Sequence, residues 1–139
     1  MNLKYSELRM AFDFVSSRDQ GENIAYVGRD DGEFYYYSQV LGLDETRGKD
    51  VHSSNFESVP HRDILNLGRE LAFDFIDERL AEQYAVVREY FAEEDTAESR
   101  FSDMLQSHGL LQDWNEYKAE KVEKTLREWC TQKQIELDD

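Results

Sequence analysis

The sequence predicts an α+β fold: an N-terminal helix, then a small antiparallel β-hairpin or three-stranded sheet, then a bundle of about four helices. Three observations carry this. Apolar residues recur at spacings of three and four near the N-terminus and again beyond about residue 66, the period of an amphipathic helix. Between those stretches lie short runs of strand formers separated by Asp-Gly turn chemistry. Helices and strands are therefore segregated rather than alternating, so no dinucleotide-type crevice is expected.

Taken in order, Tyr5, Leu8, Phe12 and Val15, with Ala11 on the same side, predict a helix over about 4–17. Ile24-Ala25-Tyr26-Val27 and Phe34-Tyr35-Tyr36-Tyr37 predict a hairpin around Asp30-Asp31-Gly32. A two-residue loop at Asp31-Gly32 would set Val27 opposite Tyr36 and Tyr26 opposite Tyr37. Residues 39–55, with Gly42 and Gly48, read as a mobile surface loop, and Phe56-Glu57-Ser58-Val59 as a third strand stopped by Pro60. Asn66 is positioned to cap a helix bearing Leu67, Leu71, Phe75 and, beside them, Ala72, Ile76, Leu80. Tyr84, Val87 and Phe91 mark the next helix. Asp95 with Glu98 resembles a capping box for a helix carrying Phe101, Met104 and Leu105, ended by Gly109 with Leu110 as the hydrophobic contact. The last helix runs over about 112–132, lined by Trp114, Val122, Leu126 and Trp129, with Glu120–Lys124 and Glu123–Arg127 as i,i+4 pairs. Residues 135–139 are expected to fray.

The 139 residues suit a single domain, 1–139, large enough to bury roughly 68–70% of the surface its unfolded chain exposes. A net charge of −15 leans toward disorder, but eight Phe, eight Tyr and two Trp against one Pro supply an aromatic core. The lone Cys130 fits a reducing compartment, and the N-terminus has no basic leader followed by an apolar stretch. No apolar run approaches the ~18 residues that span a bilayer. A cytoplasmic location is the expectation.

Charge excludes some partners. Residues 1–60 hold 6 basic and 11 acidic groups and residues 61–139 hold 10 and 20, with no clustered Lys/Arg face to meet phosphates. Direct nucleic-acid binding and membrane binding are not expected. His61-Arg62-Asp63 matches the opening of a kinase catalytic loop, but the required Asn five residues after the Asp is Gly68, and no phosphate-covering glycine loop exists. His52, His61 and His108 stand apart, Cys130 has no second cysteine, and Val27 occupies the place, five residues before Gly32, where a calcium loop turning at that glycine needs an aspartate. Cys130 beside Trp129 in a helix reads as a buried, inert thiol. Glu116-Tyr117-Lys118, an acid-x-lysine pair, falls on a helix rather than the strand a nuclease uses. No catalytic, cofactor or metal residues are assigned, and no cofactor is expected.

The most informative local feature is Tyr35-Tyr36-Tyr37. Alternation places Tyr35 and Tyr37 on one side of the strand, where helices cover them or they stand as contact surface. Arg100, Trp114 and Tyr117 form a second candidate contact neighbourhood, in which the Arg would lie over the rings.

Ala11-Phe12-x-Phe14-Val15 and the Asp31-Gly32 hairpin open a pattern that continues with Val59-Pro60 and Leu67-Gly68-Arg69-x-Leu71-x-Phe73-x-Phe75. It runs on through Tyr84-x-x-Val87-Arg88-x-x-Phe91, Arg100-Phe101-x-x-x-Leu105-x-x-x-Gly109-Leu110-Leu111-x-x-Trp114-x-x-Tyr117 and Leu126-Arg127-Glu128-Trp129-Cys130. Over most of the chain this resembles a bacterial family catalogued only as an uncharacterised protein family. Residues 39–55 and Glu93-Glu94-Asp95-Thr96 depart from that pattern, which often reads more basic at the latter. The resemblance implies a bacterial or phage cytosolic protein and brings no activity, cofactor or catalytic residue. The reading is a non-enzymatic interaction or regulatory module with a protein partner. The alternatives are an enzyme with a fold-assembled polar or metal site, hydrolase-like, and an acidic inhibitor imitating nucleic-acid phosphates.

Overall fold

The computed structural model describes residues 3–138 and has the predicted α+β class: an N-terminal helix, a four-stranded antiparallel sheet and four further α-helices. The leader reading at Met1 and Asn2 and the fraying expected at Asp139 lie outside the described residues. Contacts gather the chain into two compact units, one running to Leu65 and resuming at Glu123, the other Asn66–Val122.

In the first unit, helix α1 (Tyr5–Ser16) buries Leu8, Ala11, Phe12 and Val15, the stripe expected of a helix with one dry side. Strands β1 (Asn23–Gly28), β2 (Phe34–Ser38), β3 (Leu43–Asp44) and β4 (Phe56–Ser58) follow, in the spatial order β3-β2-β1-β4. The short β3 lies inside the segment expected to be wholly loop, so Phe56–Ser58 is the fourth strand rather than the third.

The hairpin register differs from the expectation by two residues: Tyr26 pairs with Tyr35 and Val27 with Phe34. The turn is four residues long, because the Gly28 amide donates to the Glu33 carbonyl at 2.9 Å and the Gly32 amide to the Gly28 carbonyl at 2.9 Å. Gly32 takes φ +67°, a left-handed conformation that glycine adopts freely. A slip of two leaves every side chain on its expected face, whereas a slip of one would have inverted the sheet.

His61-Arg62-Asp63 is structural. Buried His61 donates from Nε2 to the Arg18 carbonyl at 2.7 Å and accepts the Asp63 amide at Nδ1, 3.1 Å away, while the Arg62 amide donates to Ser16 Oγ at 3.1 Å. The tripeptide pins the chain leaving β4 to the end of α1. Asp63 sits in the turn that follows.

Helix α5 (Leu111–Gln132) lends its later part to this unit, burying Leu126, Trp129 and Cys130 and forming the Glu123–Arg127 pair at 2.9 Å. Beyond it, residues 135–138 are tied down rather than frayed. Gln134 takes φ +59°, the Ile135 amide donates to the Cys130 carbonyl at 2.8 Å, and Ile135 is buried. The Asp138 amide then donates to the Leu3 carbonyl at 2.8 Å.

The second unit holds α2 (Arg69–Arg79), a 3₁₀ turn (Ala81–Gln83), α3 (Tyr84–Phe91), α4 (Glu94–Ser107) and the start of α5. Two capping expectations are corrected. Asn66 takes φ +57° in the preceding turn, and Gly68 occupies the N-cap of α2. Helix α4 starts one residue before Asp95, with Glu93 at its N-cap, so Asp95 lies in the first turn and serves the helix dipole instead. The Gly109 stop forms as expected: Leu110 donates to the Leu105 carbonyl at 2.8 Å and Gly109 to the Gln106 carbonyl at 3.1 Å, the paired bonds of a Schellman motif. Rings hold the interior together. Phe73 meets Phe91 (5.5 Å), Phe91 meets Phe101 (5.8 Å), and Phe101 meets Trp114 (5.1 Å). Edge-to-face contacts of this kind stabilise by about 0.5–1.5 kcal/mol each beyond the area they bury.

Candidate partner-contact surface

The two faces of the sheet are told apart by α1. Phe14 of α1 meets the Tyr36 ring edge-on at 5.0 Å, so Tyr36, with its neighbours Ala25 and Val27, faces the helix. The two-residue alternation of strands then puts Ile24, Tyr26, Tyr35, Tyr37 and Phe56 on the opposite face. Tyr35 and Phe56 meet edge-on at 5.9 Å. Gly28 lies opposite Phe56 on the intervening strand and offers no side chain to separate them. No helix of the first unit contributes a ring to this side among the described contacts; its cover is the 45–55 loop. The Lys49 ammonium stands 4.5 Å from the Tyr35 ring centroid, and the His52 ring meets Tyr26 at 6.4 Å. Tyr26 is buried there, while Tyr35, Tyr37 and Phe56 stay half-buried.

The hairpin turn sets the electrostatics of this face. Asp31 accepts the Glu33 amide at Oδ1 (2.9 Å) and the Tyr35 hydroxyl at Oδ2. The Tyr35 bond, then the Glu33 amide, hold the Asp31 carboxyl below its ordinary range, with Lys49 adding to the effect. Reciprocally, the bond to Asp31 pushes the Tyr35 phenol up to about 12, because ionisation would lose the bond and set two negative groups together. Burial raises the Tyr26 phenol, with Tyr37 nearby as a lesser cause.

The sheet's β2 edge is closed beside this face. Glu45 donates its amide to the Tyr36 carbonyl at 2.9 Å, and its carboxylate accepts the Tyr36 amide at 3.0 Å. Both backbone groups that Tyr36 presents to that edge are thereby occupied.

The second expected neighbourhood is rearranged. Trp114 is buried, packed on Phe75 at 5.3 Å and Phe101 at 5.1 Å, with Tyr117 stacked on it at 6.2 Å. Arg100 does not lie over either ring; its guanidinium is over Tyr90 at 5.7 Å. Phe101 points at Trp114, and the next residue on a helix is turned about 100° away, so Arg100 cannot share that direction. The cations beside these rings are Arg79, 5.6 Å from the Phe75 ring and bonded to Asp113 at 2.7 Å, and Lys121, 5.5 Å from the Tyr117 ring. Phe75–Arg79 and Tyr117–Lys121 are i,i+4 spacings, a signal present in the sequence.

Among the described residues, no three His, Cys, Asp or Glu side chains converge as metal ligands would. Cys130 is buried, and burial pushes its thiol up to about 11 against the opposing effect of Arg127, which keeps it protonated and a poor nucleophile at neutral pH. The concavity of about 640 Å³ near it is lined by Arg127, Thr131, Gln134, Ile135 and Glu136, and its arginine is already engaged by Glu123 and by the Tyr5 ring at 4.9 Å. No helix among the described residues is long and apolar enough to cross a membrane. The chain matches no family model, no curated protein and no solved structure.

Proposed function

We propose that this chain is a non-enzymatic protein-interaction module, bacterial and cytoplasmic as the sequence resemblance implies, that meets its partner with the outer face of its sheet. One observation carries the reading: Tyr35, Tyr37 and Phe56 form a half-buried aromatic strip on rigid strands, met within its unit by the 45–55 loop. Tyrosine and phenylalanine held on a sheet offer a partner large contact area at little entropic cost, since two rotatable bonds per ring are already restricted. The contrast with Trp114 supports the choice, because that ring is spent on the interior of its unit. Arg100 and Tyr117 are secondary contacts in the same reading, being at the surface or half-buried.

The test is affinity capture from native lysate with the unaltered protein and with Tyr35→Ala/Tyr37→Ala. One stoichiometric partner, lost with the double substitution while the circular-dichroism melt is kept, is the expected result. A partner that survives the substitution would remove the face from consideration, and repeated recovery of the bare chain would remove the reading.

A further inference from the structure

We infer that residues 46–54 form a displaceable strap, and that Lys49 holds on Tyr35 the place of a cationic side chain carried by a basic, extended segment of the partner. This rests on the outer sheet face being the docking surface. Three independent features point to it. First, Lys49 lies over the Tyr35 ring while the ring's hydroxyl is bonded to Asp31, so the cation meets an aromatic face whose phenol is tied to a carboxylate. Cations favour such a face because the ring quadrupole is negative above the plane, and an adjacent carboxylate adds to the attraction. Second, among the cation–ring contacts of the described residues, the arginines and lysine of the other four sit on helices, whereas Lys49 alone is delivered by a loop. The loop is bonded mainly to itself, with Lys49 donating to the Thr46 carbonyl at 3.1 Å and Ser53 to the Asp50 carbonyl at 3.1 Å. Among the described residues, no backbone group from 46 to 54 bonds to β1 or β2. Residues 46–54 can therefore lift without breaking a ladder bond of those strands, while Glu45 at one end stays bonded to Tyr36 and Asn55 at the other accepts the Arg29 amide at 2.8 Å.

Third, charge complementarity selects the occupant. Residues 29–57, which build this face and its rim, hold seven acidic and three basic groups, on a chain of net −15. A basic segment is drawn to that surface, and an acidic one is repelled. An extended backbone repeats its side chains on one side at the same spacing as Tyr35 and Tyr37, so alternate cations can address the strip. Addition as a further strand beside Tyr36 is blocked by Glu45, which favours binding across the face.

The probe is a short fluorescein-labelled peptide of alternating lysine and serine, with its glutamate counterpart as control, followed by fluorescence anisotropy. Lys49→Met keeps the strap's apolar stem but removes the competing charge, and Lys124→Met, on exposed α5, changes net charge equally. Lys49→Met is expected to tighten lysine-peptide binding about three- to fivefold relative to Lys124→Met, the range an exposed cation–ring contact allows. Adding Tyr35→Leu should cancel the gain, adding Tyr35→Phe should preserve most of it, and the glutamate peptide should not bind. Equal gains for the two lysine variants mean unspecific attraction and overturn the inference, as does a gain that survives Tyr35→Leu. If capture of a partner still depends on Tyr35 and Tyr37 while the peptide shows no Lys49 effect, only the strap falls. If capture is indifferent to both tyrosines, the docking surface itself falls.

Discussion

The ends of α4 and α5 are built alike but with different residues at the same critical place. Both close with a Schellman motif, in which the second residue past the helix takes positive φ: Gly109 at +70° after α4 and Gln134 at +59° after α5. A non-glycine residue in the left-handed region is strained by about 1–2 kcal/mol. At Gln134 that strain is tolerated because Ile135, next in line, is buried and bonded back to Cys130. Gln134→Gly removes the strain and returns about 0.5–1 kcal/mol of it as added freedom of the unfolded chain, so a net stabilisation of about 0.5–1 kcal/mol is expected. Gly109→Ala is the mirror experiment. A Cβ there meets nothing within 4 Å, so the cost is backbone strain alone, about 1 kcal/mol net. For a chain of 139 residues these correspond to shifts of about 2–6 °C, upward for Gln134→Gly and downward for Gly109→Ala. Each is read by thermal fluorescence melts in a single-tryptophan background, Trp129 reporting on the unit that holds Gln134 and Trp114 on the unit that holds Gly109. A Gln134→Gly protein that melts at or below the parent temperature would refute the left-handed assignment.

Phe75 is fully buried and touches both Trp114 and Tyr117, so Phe75→Ala should cost about 3–5 kcal/mol, and urea unfolding followed at Trp114 in a Trp129→Phe background should show it. A loss below about 1 kcal/mol would mean the ring cluster repacks without cost. Asp31→Asn should bring the Tyr35 phenol from about 12 back toward its ordinary 10.0, read as the phenolate absorbance difference between each protein and its Tyr35→Phe partner. The pH sense follows from both shifts. The Tyr35–Asp31 bond contributes fully below pH 10.0 and is lost as pH rises through about 12, and at the acid end it is present above 3.8 and lost as pH falls below the lowered value of Asp31. Cys130 should resist aromatic disulfide reagents in the native protein and react in step with unfolding; rapid stoichiometric labelling without denaturant would contradict its burial.

Sequence alone determined the class of the fold, the order of its helices and longer strands and the stripes the helices bury, because helix and strand periods are properties of the chain read locally; the two-residue β3 escaped it. Leu8, Phe12 and Val15 bury their helix stripe wherever the helix docks, and Gly109 ends α4 because the left-handed turn suits glycine. The errors fall where one local signal competes with a longer-range bond. Asp31-Gly32 suits a two-residue turn, but the Asp31 carboxylate is engaged by Glu33 and Tyr35, and the hairpin closes around four residues instead. Gln134 carries no turn signal; burial of Ile135 decides its conformation.

The candidate surface divides the same way. Alternation was enough to pair Tyr35 with Tyr37 on one face, and Arg100 went astray only because its helix neighbour Phe101 claims the direction of Trp114. Which face of the sheet α1 covers, that Phe56 joins the tyrosines, and that Lys49 lies on Tyr35 were decided by tertiary structure alone. Those contacts join residues distant in sequence, and nothing in the local spacing of Lys49 or Phe56 encodes the path by which the chain returns to the sheet.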